Sequence, residues 1–310
     1  MTKFFVSQFK QLFCSLLILM LLTFGKVAYG GEIKVSFPPS VEIGMPFIIH
    51  LKTPQLPLEG KAYWCGQQIP IHFSEKTSYS QSLLMGTSAK TASPGRASFR
   101  MEFFMNGKAE KFAVPVEILA KSYPRELLTL PEKMVVPPSH ELVRIKEEQR
   151  VVRQTLLDIR QDRFWDLPFF KPVDSMITSA YGKRRVLNGK PSNPHTGIDL
   201  RASAGTDVYA AADGIVTLVA EHYFSGHVIY INSGSGVVSL YCHLSKPLVQ
   251  GGEHVRRGDL IAKSGVSGRI TGPHLHFGMA LQGQLVDPMP LFTTGEKELS
   301  EKNKEQVFRW

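Results

Sequence analysis

The stretch Val237-Val238-Ser239-Leu240-Tyr241 decides the fold class of the C-terminal half of this sequence. Like the runs 215–219, 228–231 and 275–280, it is short and largely apolar, and glycine-rich turns separate these runs. No apolar period of helical length intervenes between them. Short apolar runs between turns are typical of strands, and strands joined by tight turns pair antiparallel. We therefore predict an antiparallel β-sheet for this half.

The N-terminal half also has the pattern of β-structure, but as a separate unit. Between Glu32 and Ile118, apolar and polar residues alternate in short runs that clusters of Pro, Gly and Ser separate. This pattern predicts a small β-sandwich-like domain. His50 and His72 stand alone in strand-like runs, so we expect packed or surface residues rather than ligands.

A linker and one helix join the two halves. Four prolines interrupt residues 121–138, which predicts an irregular segment over the surface. From Ser139 to Phe164, apolar residues recur at helical intervals among many charges, and Ser139 stands where a cap is expected. We predict one connecting amphipathic helix, packed between the two domains.

The first thirty residues resemble a secretory signal. They contain three lysines and no acid, an apolar run from Leu12 to Phe24, and small residues near Gly30. The run is shorter than the roughly 20 apolar residues that cross a bilayer, so cleavage and release to the periplasm or medium is favoured over an inner-membrane anchor. No stable membrane insertion is expected after the signal is removed.

Charge and cysteine content narrow the possible partners. The net charge is +9, and removal of the three signal lysines leaves the chain basic. For an exported protein, a basic surface suits an anionic wall or membrane polymer better than nucleic acid. The two cysteines after the signal, Cys65 and Cys242, lie in different predicted domains and form no disulfide framework.

The whole chain is thus predicted to be mainly β, with five segments. They are a signal peptide (1–30), an N-terminal β domain (31–120), a linker and helix (121–165), a C-terminal β domain (166–295) and a C-terminal tail (296–310).

Histidines concentrate in three short motifs of the C-terminal domain. The motifs are His195-Thr196-Gly197-Ile198-Asp199, Tyr241-Cys242-His243 and His274-Leu275-His276. Residues two apart on a strand share a face, so His274 should lie beside His276, and Tyr241 beside His243, with Cys242 on the opposite face. Two imidazoles and a carboxylate make a suitable zinc ligand set and leave histidines for proton transfer.

These motifs resemble the LytM and lysostaphin type of peptidoglycan endopeptidases, which carry His-x-x-x-Asp and His-x-His signatures. The resemblance extends from about Ser179 to Pro288. It is carried by Tyr181-Gly182-Lys183-Arg184, 195–200, 205–214, 239–244 and 267–277. Two departures are Gly278, where many relatives have an acid, and the absence of tyrosine from 183–194.

The resemblance implies an open antiparallel β-fold with a groove between flanking loops. It also implies that His195, Asp199 and His276 bind Zn²⁺. His243 and His274 would flank the water and the tetrahedral intermediate as acid, base or oxyanion stabiliser, and their individual roles stay open.

The leading functional hypothesis is a zinc metalloendopeptidase that hydrolyses peptidoglycan, with D-Ala to diaminopimelate cross-links as the expected bond. The alternative is a catalytically silent relative that binds peptidoglycan or activates a separate amidase. Degenerate relatives generally lack some ligands, whereas all five positions are filled here. A further hypothesis is autoinhibition, in which the N-terminal domain and the helix cover the groove.

Overall fold

A computed structural model describes residues 31–54, 58–73, 75–105 and 108–310. The predicted signal segment, residues 1–30, lies outside the described residues. Among the described residues, no helix combines the length and apolar character that crossing a bilayer requires.

The elements before the C-terminal domain are mostly strands. They are β1 (Glu32–Phe37), β2 (Ser40–Glu42), β3 (Pro46–Lys52), β4 (Leu58–Trp64), β5 (Gln67–Phe73), β6 (Ser80–Gly86), β7 (Gly95–Met105), β8 (Lys108–Leu119), β9 (Arg125–Leu128), α1 (Glu132–Val135) and α2 (Leu142–Leu156).

The C-terminal elements follow the same pattern. They are β10 (Ile177–Ser179), β11 (Arg184–Leu187), β12 (Lys190–Pro191), β13 (Ile198–Arg201), β14 (Asp207–Tyr209), β15 (Gly214–His222), β16 (Gly226–Gly234), β17 (Val237–Pro247), β18 (His254–Val255), β19 (Leu260–Ser264), β20 (His274–Leu281), β21 (Gln284–Val286), α3 (Glu296–Leu299) and β22 (Lys304–Arg309). The prediction of a mainly β protein is confirmed.

The N-terminal domain consists of two sheets, as the alternating pattern predicts. One has the order β22-β1-β3-β6 and the other the order β2-β8-β7-β4-β5. Val114, Val116 and Ile118 alternate with exposed residues along β8 and enter one shared core. In that core, Phe47 meets Trp64 edge to face, with ring centroids 5.3 Å apart. Aromatic burial on the inner faces therefore holds the domain together.

The end of the chain returns to the N-terminal domain. Strand β22 pairs antiparallel with β1, from Glu32 opposite Arg309 to Phe37 opposite Lys304. Phe308 and Trp310 pack on Phe112 of the sandwich core. The segment predicted as a tail, 296–310, thus contains a short helix and an edge strand. Few apolar residues mark this strand, and only pairing with β1 makes it regular.

The C-terminal sheet is antiparallel, in the order β10-β13-β20-β17-β16-β15-β18. One of its faces carries a large apolar core that includes Leu275 and Phe277. The opposite face carries Val238 and Leu240, which Leu156 of α2 covers. Helix α2 thus lies on the face of β20 that also carries His276.

Helix α2 is shorter than the predicted 139–164. A 3₁₀ turn precedes it at Ser139–Glu141, and no side-chain capping bond forms there. After Leu157 the chain leaves the helix and bonds to the sheet. The Asp158 carbonyl accepts a hydrogen bond from Asn232 Nδ2 at 2.8 Å. Ile159, which matched the helical period, packs against the N-terminal core instead.

The linker adds a strand to the C-terminal domain. Strand β9 pairs parallel with β11, which also pairs with β12, so the three form a small sheet. Backbone hydrogen bonds fix both ends of this pairing: Arg184 N donates to Pro124 O at 2.9 Å, and Asn188 N donates to Leu128 O at 3.0 Å. The linker is therefore fixed against β11 of the C-terminal domain.

Candidate metal centre

Three side chains converge where β13 meets β20. Asp199 Oδ1 lies 3.0 Å from His195 Nε2 and 2.9 Å from His276 Nδ1. The two ring nitrogens are themselves 2.9 Å apart. The structure thus brings together the three residues of the predicted ligand set.

Strand register explains two of these positions. Asp199 stands directly opposite His276 in the antiparallel ladder of β13 and β20. His195 precedes β13 in a loop that passes close to β20 at Gly197. A Cβ on Gly197 would lie 2.3 Å from the Phe277 carbonyl oxygen and 2.9 Å from His276 Cε1. Only glycine therefore allows the loop to bring His195 over the ladder.

Hydrogen bonds orient the ligand candidates. His195 Nδ1 donates to the Ala180 carbonyl at 2.9 Å, which leaves Nε2 facing Asp199 and His276. Asp199 Oδ2 accepts from Arg185 Nη2 at 3.0 Å, which leaves Oδ1 for the centre. A partner on the remote atom of a ligand fixes both its orientation and its tautomer.

The protonation states suit cation binding. Burial raises the pKa of Asp199, but interactions with His195 and His276 outweigh burial and hold this pKa well below its usual range. Burial lowers the pKa of His276 to about 4, although Asp199 opposes that shift. At neutral pH the group therefore offers a carboxylate and a neutral imidazole.

The other two predicted histidines lie beside this group. The His243 ring centroid is 5.1 Å from that of His274 and 6.1 Å from that of His276. His243 Nδ1 donates to the Ser267 carbonyl at 2.8 Å, and His274 Nδ1 donates to the Gly272 carbonyl at 2.8 Å. His274 Nε2 lies 3.6 Å from Asp199 Oδ1. Each ring thus uses Nδ1 for a backbone carbonyl and leaves Nε2 for other partners.

Strand alternation was the wrong basis for placing His243. Tyr241 stands opposite Phe277 and packs in the large core, whereas Cys242 stands opposite His276 and packs on the other face. Strict alternation would therefore turn His243 toward the core. Its φ of 62° breaks the alternation and brings the ring to the face of His276. Cys242 is buried as predicted, and burial raises its thiol pKa to about 12.

Burial affects His243 of the site and also His222, which lies outside it. Burial lowers the pKa of His243 to about 3, with further lowering from His276 and His274. The ring is therefore uncharged at neutral pH. His222, at the end of β15, is buried beside Tyr230 on the neighbouring strand.

Sequence reasoning missed the groups that support the ligands. Arg185 bonds Asp199 directly, and Ser179 Oγ lies 3.4 Å from His195 Nδ1. Glu126, from linker strand β9, bonds both Arg185 and Ser179. Arg185 directly follows a motif that carried the resemblance, so its position in the sequence could have suggested a role at the site. Glu126 lies far outside every motif and offered none.

A second part of the linker, the linker strap (residues 128–134), contacts loops in two separate parts of the C-terminal domain. On one side, Leu130 N donates to Asn188 Oδ1 at 2.9 Å. On the other, Tyr223 Oη donates to the Lys133 carbonyl at 2.8 Å, and Arg269 Nη1 lies 3.4 Å from the Met134 carbonyl. The side chains of Asp199, His274 and His276 are no more than 15% exposed.

The donor set fits a transition-metal cation. Without a proton or a cation between them, the lone pairs of two ring nitrogens and a carboxylate oxygen within 3.0 Å of one another repel. Imidazole and carboxylate are the ligand types that zinc and similar ions prefer, and catalytic zinc sites commonly take three protein ligands.

Comparison with known proteins agrees with this site. Residues 193–288 match the sequence model of peptidase family M23. The chain is 40% identical over 121 residues to the peptidoglycan DD-endopeptidase ShyA of Vibrio cholerae, over 38% of this chain and 28% of that protein. It is 43% identical over 117 residues to the DD-carboxypeptidase/endopeptidase Mpg of Neisseria meningitidis, over 38% of this chain and 27% of that protein. The chain thus matches less than a third of the length of these curated relatives.

One solved structure resembles more of the chain. A crystal structure assigned to peptidase M23 from Pseudomonas aeruginosa matches with a TM-score of 0.58 and 25% identity, over 76% of this chain and 87% of that one. The predicted resemblance to LytM and lysostaphin-type peptidases is therefore confirmed. Residues 193–288 are thus similar to peptidase family M23, whose sequence model they match.

Proposed function

We propose that this protein is a zinc-dependent endopeptidase that hydrolyses peptide bonds of bacterial peptidoglycan. The observation that carries the proposal is the convergence of His195 Nε2, Asp199 Oδ1 and His276 Nδ1 within 3.0 Å of one another. The similarity to the Vibrio peptidoglycan DD-endopeptidase and to the Neisseria DD-carboxypeptidase/endopeptidase supports peptidoglycan as the substrate. The D-Ala to diaminopimelate cross-link is the bond we propose, and the periplasm is the proposed location.

The three ligands would hold Zn²⁺ through those atoms. When bound, the ion supplies Lewis-acid polarisation of a carbonyl and lowers the pKa of water. Arg185 keeps Asp199 Oδ2 occupied, so that the carboxylate presents Oδ1 alone. The Ala180 carbonyl keeps the proton of His195 on Nδ1, so that Nε2 stays a ligand.

His243 and His274 carry the proton transfers and the stabilisation of developing charge. Each ring donates its Nδ1 proton to a backbone carbonyl, which fixes its orientation. The neutral His243 ring can accept a proton at Nε2 and later return it to the leaving amine. His274, next to Asp199, can hydrogen-bond an oxyanion once protonated. Such groups contribute about 10²- to 10⁴-fold each.

We also propose that the linker strap restricts access to the groove. Its contacts with Asn188 on one side and with Tyr223 and Arg269 on the other support this proposal. Substrate would have to displace these contacts to reach His274 and His276. Inhibition by the N-terminal part of the chain would then act through the linker.

Zymography of the purified full chain on peptidoglycan tests the catalytic proposal. We expect a clearing zone that disappears with chelator and returns with Zn²⁺. Mass spectrometry of the released muropeptides should show loss of D-Ala to diaminopimelate cross-linked dimers. Wall binding without clearing would contradict the proposal and favour a peptidoglycan-binding or amidase-activating protein.

A further inference from the structure

Strand β9 places one acid of the linker beside the metal centre. In its parallel pairing with β11, Glu126 stands directly opposite Arg185. Backbone bonds at Pro124 and Leu128 fix the pairing at both ends. This register leaves the Glu126 side chain only 14% exposed. Glu126 is outside the segment that matches the family.

The carboxylate of Glu126 accepts three hydrogen bonds. Oε2 accepts from Arg185 Nε at 3.1 Å, and Oε1 accepts from Lys183 Nζ at 2.8 Å and from Ser179 Oγ at 2.7 Å. Burial raises the pKa of Glu126, but these bonds outweigh burial, and the net shift is downward. The group is therefore a carboxylate at neutral pH.

Two of these partners reach metal ligands. Arg185 uses Nε for Glu126 and Nη2 for Asp199 Oδ2, at 3.0 Å. One guanidinium thus bridges the linker carboxylate and the ligand carboxylate. Ser179 Oγ, which donates to Glu126, lies 3.4 Å from His195 Nδ1. Glu126 therefore bonds two residues, Arg185 and Ser179, and each of these contacts a different proposed ligand.

A second acidic residue of the linker, Glu132, attaches the linker to the C-terminal domain through contacts outside the metal centre. Glu132 Oε1 lies 3.3 Å from Lys190 Nζ, and Glu132 Oε2 lies 3.3 Å from Asn188 Nδ2. The Glu132 and Lys190 side chains are both more than half exposed, and none of the contacts described for Glu132 reaches a metal ligand. Attachment of the linker to β11 and β12 thus needs no buried carboxylate next to Arg185.

We propose that Glu126 is a positioning residue for the metal centre, acting through Arg185 on Asp199 and through Ser179 on His195. This inference rests on the proposed function, because it concerns the same metal. Bound on one side by Glu126, Arg185 is held with its second nitrogen toward Asp199. Outer partners of this kind commonly change metal affinity by about 10- to 100-fold when removed.

The test measures Zn²⁺ affinity of the metal-free full chain by competition with a chromophoric chelator. Glu126→Gln keeps the size of the side chain and removes its charge, and we expect about 10- to 100-fold weaker Zn²⁺ binding. The matched control, Glu132→Gln, should bind Zn²⁺ like the wild type. If Glu126→Gln does not fold, Arg185→Lys tests the same connection between Glu126 and Asp199. A lysine ammonium cannot reproduce the planar guanidinium, which donates to Glu126 through Nε and to Asp199 through Nη2.

A double-mutant comparison separates positioning from general stability. If Glu126 acts mainly through Arg185, the double variant Glu126→Gln/Arg185→Gln should bind Zn²⁺ little more weakly than Arg185→Gln alone. A merely structural role would lower the unfolding temperature and leave the affinity of the folded protein unchanged.

The two proposals fail differently. A wild type that binds Zn²⁺ and clears peptidoglycan, with Glu126→Gln at wild-type affinity, would overturn the positioning role alone. A wild type with no affinity for Zn²⁺ would overturn the positioning role together with the proposed function.

Discussion

Strands β13 and β20 bring Asp199 opposite His276 through an antiparallel register, whereas linker strand β9 brings Glu126 to the same centre by a parallel pairing with β11. The first pairing lies inside the family match, and the second depends on a residue before it. Two of the three proposed ligands, Asp199 and His276, are therefore placed by the sheet itself, while part of their support comes from the linker.

We therefore expect the proposed ligands on the sheet to be essential for metal binding, and the linker contacts to modulate it. Loss of a ligand on the sheet removes a donor atom, and loss of a linker contact changes only orientation or access.

The largest effect is expected from His276→Ala, which removes one of three donor atoms. Zn²⁺ affinity should fall by more than about 100-fold, which is the upper limit expected when only a hydrogen-bond partner of a ligand is lost. The clearing zone should vanish. Chelator competition and zymography measure the two effects. His254→Ala, at an exposed histidine of β18, is the control and should behave like the wild type. A variant at position 276 that still clears peptidoglycan would refute the ligand set.

His243→Gln should separate chemistry from metal binding. The ring lies beside the ligands without belonging to the ligand set, so the hydrolysis rate should fall about 10²- to 10⁴-fold while Zn²⁺ affinity changes little. Release of muropeptides over time and chelator competition measure these quantities on the same preparation. A large loss of metal affinity with unchanged turnover per bound metal would show that His243 is a ligand instead.

Acid should destabilise the metal-free protein through its buried histidines. His243 and His276 have folded-state pKa values of about 3 and about 4, below the 6.5 of the ordinary group. The unfolded chain therefore binds more protons as the pH falls below 6.5, and the free energy of unfolding should fall, by on the order of 1 kcal/mol per group per pH unit. Urea unfolding with chelator at pH 6.5 and pH 5 measures the slope.

The matched variant for this slope is His243→Gln, which cannot take up the proton. Its free energy of unfolding should depend less on pH between 6.5 and 5 than that of the wild type. Equal slopes would mean that His243 takes up its proton in the folded state over this range.

The smallest effect is expected at the linker strap. Tyr223→Phe keeps the ring and removes the hydrogen bond to the Lys133 carbonyl. One such bond is worth about 0.5 to 1.5 kcal/mol, so the strap should open more readily and the hydrolysis rate should rise about 2- to 10-fold. Tyr209→Phe, whose ring packs on Phe170, is the control. An unchanged rate in the variant at position 223 would argue against restriction by the strap.

The sequence predicted the site better than its surroundings. Two-residue spacing placed His274 beside His276, because a strand enforces that period along β20. The same rule failed for His243, whose left-handed φ of 62° depends on the bond between its own N–H and Ser225 O and on the loop at Ser267. Helical periodicity likewise extended α2 too far, because the apolar Ile159 serves another core.

The β-rich fold class and the five histidine and aspartate side chains proposed for the site could be predicted from the sequence, because alternation and short motifs involve neighbouring residues. The tertiary structure was needed to show that β22 completes the first sheet and that Glu126 binds Arg185. Those pairings join distant segments through backbone hydrogen bonds, which every residue but proline can donate, so their partners leave no mark in the local pattern.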